Sequence, residues 1–177
     1  MEEIKITVDG KAPEELLYDV IEVVVDTNIF LPSMFSLLVQ DDPDPDSWKL
    51  KYTDSDIFKV GAVVKIEIET DEIPGASSTV KGALVAGEIT AIEPVFSAGG
   101  PVMLRVRGYD RSHRLTRGKK TRTFLKVKDS DLAQKIAGEA GLSAQVDATA
   151  IQYEYIMQYN QTDWDFLWSR ARRLGYQ

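Results

Sequence analysis

Between Ala62 and Thr70 the chain reads AVVKIEIET, with Val64, Ile66 and Ile68 alternating with Lys65, Glu67 and Glu69. A period of two puts the two sets on opposite faces of an extended strand, so one face must be covered by apolar groups while the other meets water. The chain supplies the neighbours that such a strand needs. Ile4 to Val8 alternates and ends at Asp9-Gly10, a strong turn pair. Leu16 to Asp26 (LLYDVIEVVVD) is rich in β-branched residues, and Ser33 to Gln40 (SMFSLLVQ) follows the break at Leu31-Pro32. Val80 to Val95 holds Gly82 and Gly87, and glycines inside a strand mark a bulge or a bend. After Ser97-Ala98-Gly99-Gly100 the chain returns as Val102 to Tyr109, with Val102, Leu104 and Val106 on one face and Met103, Arg105 and Arg107 on the other. Short strands, curving glycines and no long helix among them predict an antiparallel barrel or sandwich, the barrel preferred, rather than a parallel α/β sheet.

The pattern changes at Asp129. Ser130 suits an N-cap, Leu132, Ala133, Ile136, Ala137 and Ala140 fall at helical spacing, and Gly141 stands where a left-handed residue ends a helix. Tyr153 to Tyr159 (YEYIMQY) reads as extended. Thr162, with Asp165 three residues on, opens a second helix whose apolar stripe is Trp164, Leu167, Trp168, Ala171 and Leu174, and Gly175 stops it. Trp164, Leu167, Trp168 and Leu174 are therefore assigned to a core. The expected fold is mainly β with an α+β C-terminal part: a barrel over residues 1–128, then an α/β segment with two short helices over 129–177. Gln40 to Phe58, with Asp41-Asp42-Pro43-Asp44-Pro45-Asp46, reads as an exposed loop.

Charge is unevenly spread. Of 21 basic and 28 acidic residues in the whole chain, the 101–128 stretch holds ten basic side chains and one acidic one, Asp110. Arg105, Arg107, Arg111, Arg114, Arg117, Lys119, Lys120, Arg122, Lys126 and Lys128 form that block within an otherwise acidic sequence. Its aromatic company is thin, Tyr109 and Phe124, so stacking on single-stranded nucleic acid is poorly supported. A subunit interface carried by Arg105, Arg107, Arg111, Arg114, Arg117, Lys119, Lys120 and Arg122 fits better, because the chain's acidic remainder offers a complementary surface.

Chemistry finds little footing. With no cysteine, thiol catalysis, disulfides and cysteine–zinc sites are excluded. His113 is the single histidine, set among Arg111 and Arg114 with no orienting carboxylate beside it, and reads as a surface residue. Asp42, Asp44 and Asp46 have calcium-loop spacing, but Ser47 and Thr53 stand where the glycine and the bidentate glutamate belong. Asn160-Gln161-Thr162 matches a glycosylation acceptor, yet Thr162 is already explained as a helix cap. Neither catalytic residues nor a cofactor nor a metal site is expected. The opening Met1-Glu2-Glu3-Ile4-Lys5 lacks the apolar run of a secretory signal, and no stretch approaches a membrane span, so cytoplasmic synthesis is expected.

Three blocks carry a family resemblance: GYDRSHRLTRGKKTRTF from Gly108 to Phe124, SDLAQKIAGEAGL from Ser130 to Leu142, and QYNQTDWDFLWSRARRLGY from Gln158 to Tyr176. In order and spacing they resemble the phage late-control D and VgrG-like hub proteins of contractile injection systems. Val8-Asp9-Gly10 and Leu31-Pro32-Ser33-Met34-Phe35 are similar to that family's first hairpin region. The resemblance implies a barrel related to tail-tube subunits and a non-enzymatic structural role. Three hub chains would present six barrels, joining a sixfold inner tube to a threefold spike, with further copies of the chain, inner-tube, spike and baseplate proteins as partners. It also implies assembly into a phage tail or injection particle. Family members continue into a second barrel beyond the point where this sequence stops, at Gly175-Tyr176-Gln177. The rival readings are a β-barrel that binds nucleic acid or another polyanion through residues 105–128, and a cell-wall hydrolase, which no residue pattern recommends.

Overall fold

The structure is a computed structural model and describes residues 2–70 and 80–175. Tyr176, which closes the third block of the resemblance, lies outside the described residues. Two compact units divide the chain, Met1–Asp110 and Arg111–Gln177.

The first unit is one antiparallel sheet of six strands: β1 (Glu2–Val8), β2 (Val20–Asp26), β3 (Met34–Gln40), β4 (Val63–Thr70), β5 (Val80–Val95) and β6 (Met103–Asp110). Their order across the sheet is β1-β4-β5-β6-β3-β2. β5 is 16 residues long, pairing with β4 through its first half and β6 through its second. The register slips at Leu84 against β4 and at Thr90 against β6. One extra residue on one strand bends it and adds twist, which curls the sheet into a half-barrel. Curling glycines in this segment were expected, and the bulges fall three residues beyond Gly87 and two beyond Gly82. β1 and β2 are the edges, with no ladder joining them among the described residues.

The period-two pattern decides what lies inside. Phe35, Leu37 and Val39 of β3, Val64 and Ile66 of β4, and Leu104 and Val106 of β6 are buried in one core. The expectation of a mainly antiparallel β fold followed by short helices is met.

Three readings change. Leu16–Asp19 is a short helix, α1, and the extended run starts only at Val20; Leu16 is fully buried, so α1 serves to drop one apolar side chain into the core. The Gln40–Phe58 segment is not merely an exposed loop, because Tyr52 and Phe58 are core residues. It is tied down by Asp41, itself fully buried, whose carboxylate accepts from the Tyr52 and Thr53 amides at 2.6 and 3.1 Å and from the Thr53 hydroxyl at 2.5 Å. The Tyr52 hydroxyl then donates to Asp19 at 2.6 Å, alongside Lys51 at the same distance. Burial raises the Asp19 carboxyl, but hydrogen bonds from Lys51 and Tyr52 outweigh it and hold the group below its ordinary value. Asp41→Ala strips two amides and a hydroxyl of their acceptor at once, and should cost about 2 kcal/mol. Urea titration checks this, and an unchanged midpoint would show that water replaces the carboxylate.

The third correction is the boundary. Residues 1–128 were expected to form the barrel, but the strand Lys120–Lys128 (β7) pairs with Gln152–Gln161 (β8), not with any strand of the first sheet. Period-two alternation says that a segment is a strand and not which strand it joins. The second unit therefore begins at Arg111, with a 3-10 turn over Arg111–Thr116 that the sequence reading missed. It continues through β7, helix α2 (Asp129–Glu139), β8 and helix α3 (Asp163–Leu174). Phe124 and Ile156 from the paired strands, Leu132 and Ile136 from α2, and Phe166 from α3 make its core. Phe124 and Phe166 stack with their rings 6.1 Å apart.

Candidate functional site

The boundary at Arg111 splits the basic block, which was read as one surface. Arg105 and Arg107 lie on β6 of the first unit, where alternation puts them on the face opposite Leu104 and Val106. Arg107 is exposed and ion-paired with Glu93 of β5. The other eight cations belong to the second unit.

There, most of the charge is used within the unit. Arg114, in the 3-10 turn, donates to the Ala140 carbonyl at 3.2 Å. Ala140 caps α2, and Gly141 beyond it has the left-handed φ of +70° expected of it, so Arg114 sits at the negative end of a helix. Arg117 reaches the His113 ring at 2.8 Å. His113, expected at the surface, is buried, because the 3-10 turn folds it and Leu115 inward. Lys120 and Arg122 converge on Asp163 in the first turn of α3, at 2.6 and 2.7 Å. Arg122 also binds Glu139, donates to the Gln158 amide oxygen at 2.8 Å and lies over the Phe124 ring. Gln158 is fully buried and donates to Asp163 at 3.0 Å. Burial alone would raise the Asp163 carboxyl; hydrogen bonds from Lys120 and Gln158 and the charges of Arg122 and Lys120 together hold it low. Arg111, Arg117, Lys119 and Lys126 are the exposed members of the block in this unit.

α3 begins and ends as its sequence dictates. Thr162 accepts from the Asp165 amide at 3.0 Å, and Gly175 takes φ +77°. At the start of α2 the expected Ser130 cap is displaced: Lys128 holds the N-cap position without a side-chain bond, and the Ser130 amide donates to Thr149 Oγ1 at 3.1 Å.

The four residues assigned to the core need a different description. Phe166 is the buried apolar residue of α3, whereas Trp164, Leu167, Trp168 and Leu174 are only half-buried. Trp164 and Leu167 pack against the core cluster, and all four line a cavity of about 320 Å³ with Leu115 of the 3-10 turn and Asp129 of α2. The buried residues of the helix are Asp163, which meets Lys120 and Arg122, and Phe166, which stacks on Phe124.

Among the described residues no group of three or more His, Cys, Asp or Glu side chains could hold a metal ion, and no helix is long and apolar enough to cross a membrane. Among the exposed apolar groups of the first unit are Ile21 and Val24 of the edge strand β2, and Ile29, Phe30 and Leu31 in the turn to β3.

Residues 1–176 match the family model of the Alg8 N-terminal domain. The chain belongs to that family. No curated protein matches the chain. Among solved structures, the 43 kDa tail protein of prophage MuSo2 from Shewanella oneidensis is similar over 99% of the chain, at 16% identity and a TM-score of 0.70. A tail protein of Neisseria meningitidis MC58 is similar over 98% at 15% identity and a TM-score of 0.62. The Francisella PdpA–VgrG complex is similar over 98% at 11% identity and a TM-score of 0.60. The Alg8 N-terminal domain spans 49%, 46% and 28% of those three chains, about half their length or less. Its fold is thus that of phage tail proteins and of a VgrG-containing complex.

Proposed function

We propose that this chain is a structural unit of a contractile injection machine, the opening part of a hub or spike-base protein of the late-control D and VgrG-like kind, and that it is not an enzyme. The observation that carries this reading is the likeness to a prophage tail protein along 99% of the chain. In this reading three copies of the parent protein, each with a second barrel, join a sixfold inner tube to a threefold spike. The first unit supplies the tube-like element. Its β2 edge, which among the described residues has a ladder partner on one side only, with exposed Ile21 and Val24 and, in the turn that follows, Ile29 to Leu31, suits contact with copies and inner-tube subunits.

Interface cations are narrowed by the geometry. Lys120, Arg122 and Arg114 hold their own unit together; in this reading exposed Arg111, Arg117 and Lys119, with Arg105 and Arg107 on the other unit, are the members that meet a neighbour. The polyanion-binding alternative weakens for the same reason, since cations already paired with carboxylates have less to offer phosphates. Filter binding to single- and double-stranded DNA should be negligible at 150 mM salt; tight binding with a steep salt dependence would favour the alternative.

The direct test is location. With the protein tagged in its own host, the tag should sediment with tubular particles on a density gradient and mark one end of the tube under gold labelling. A tag that stays in the soluble fraction while particles form without it sinks the proposal.

A further inference from the structure

We propose that two copies of this chain meet through the bare face of the β7–β8 sheet in one and the outward face of strand β2 in the other.

In the β7–β8 ladder, residues opposite one another share a face. Phe124 with Ile156 and Arg122 with Gln158 turn inward, so Leu125 with Tyr155 and Thr123 with Met157 turn outward. Tyr159, two residues beyond Met157, continues that row. The outward face of an antiparallel sheet packed on one side ordinarily reads polar. Here Leu125, Tyr155, Met157 and Tyr159 are between 43% and 69% exposed, and they are four of the five exposed large apolar side chains among the described residues of the second unit. Apolar groups collected on one face in this way mark a contact surface, which scattered ones do not.

Charge selects what covers it. Met1–Asp110 carries 9 basic and 21 acidic side chains, whereas Arg111–Gln177 carries 12 and 7, so each chain joins a strongly acidic unit to a basic one. Beside the apolar row Lys119 and Lys126 are exposed, and β7 and β8 together hold a single acid, Glu154. The complement is on β2. Val23 and Val25 pack against the core of the first unit, which leaves Glu22, Val24 and Asp26 exposed on the opposite face of an edge strand that has no cation. An apolar centre flanked by acids thus matches an apolar row flanked by lysines, the arrangement of core and rim that fixes partner and register at protein interfaces. Two β7–β8 faces would bring like charges together, whereas this pairing brings opposite ones. Because the two surfaces differ, the contact is head-to-tail, the kind that builds rings when its rotation closes. The inference deepens the tail-component reading and takes from it only that copies of the chain are neighbours.

The test is sedimentation velocity on the purified chain. Association should set in between about 1 and 100 µM, as for a weak interface, and weaken severalfold when NaCl is raised from about 0.05 to 0.5 M. Tyr155→Ser with Tyr159→Ser removes the apolar row, and Glu22→Lys with Asp26→Lys reverses the acids; each double variant should stay monomeric alone. All four positions are exposed, so native circular dichroism is expected of both variants. Mixed in equal amounts, the two should form a heterodimer and nothing larger, since each keeps the surface that the other lacks. A monomeric wild type, association indifferent to salt, association of either variant alone, or a mixture that stays monomeric overturns the proposal. Should the protein sit on tubular particles but fail here, only this contact falls; the reverse outcome removes the tail reading and leaves the contact.

Discussion

Gly108→Ala will cost the first unit about 3 kcal/mol, the upper end of ordinary overpacking. Gly108 pairs with Phe35 on one side and Ile89 on the other, in the middle of three adjacent strands. A Cβ there would lie 2.3 Å from the Glu88 backbone oxygen and 2.3 Å from Cζ of Phe35, a ring with no solvent exposure. Neither obstacle can yield cheaply: moving the oxygen breaks the β5–β6 ladder, and moving the ring opens the core. Adding Phe35→Leu frees one side only, so the double variant should regain less than half of the loss. Hydrogen exchange at the amides of β3 and β6 reports this unit by itself. A loss under 1 kcal/mol would mean that the strands separate more easily than their register implies.

Asp163→Ala should cost the second unit about 3 kcal/mol, the low end for breaking a buried ion pair. The carboxylate, 6% exposed, receives Lys120, Arg122 and Gln158. Lys120 and Arg122 are 40% and 23% exposed and regain water in the variant, which limits the penalty; Gln158, fully buried, does not. The contribution has a pH signature. Because the folded carboxyl lies below its ordinary 3.8, its stabilisation is full above that value and disappears as pH falls through the folded value. Urea midpoints followed by the fluorescence of Trp164 and Trp168 should therefore differ widely between wild type and variant at pH 7 and converge toward pH 2. A gap that stays constant with pH would assign the loss to helix α3 alone.

Much of the architecture is written locally. Val64 and Ile66 are buried because they alternate with charges, and Thr162 and Gly175 bound α3 because cap chemistry is set by a few adjacent residues. What the sequence hid depends on distant partners. Nothing near Asp41 says that its carboxylate will hold Tyr52 inside, and nothing near Lys120 says that its strand will pair with residues 24 to 41 positions later rather than with the first sheet. The α3 stripe was legible in part: periodicity picked out Trp164 and Leu167, which pack against the core, whereas the buried apolar residue of the helix, Phe166, falls outside the stripe. The basic block was visible as composition but its division between two units was not, since net charge carries no record of where a chain changes domain.

The pairing of Arg122 with Asp163, Glu139 and Gln158 sets a limit on experiments that scan charges across residues 105–128. Reversing Arg122 or Lys120 would abolish activity in any assay by melting the scaffold, a false positive for contact with a neighbour. Substitutions at solvent-facing Arg107, Arg111, Arg117, Lys119 and Lys126, checked for intact tryptophan emission, report on what this molecule touches.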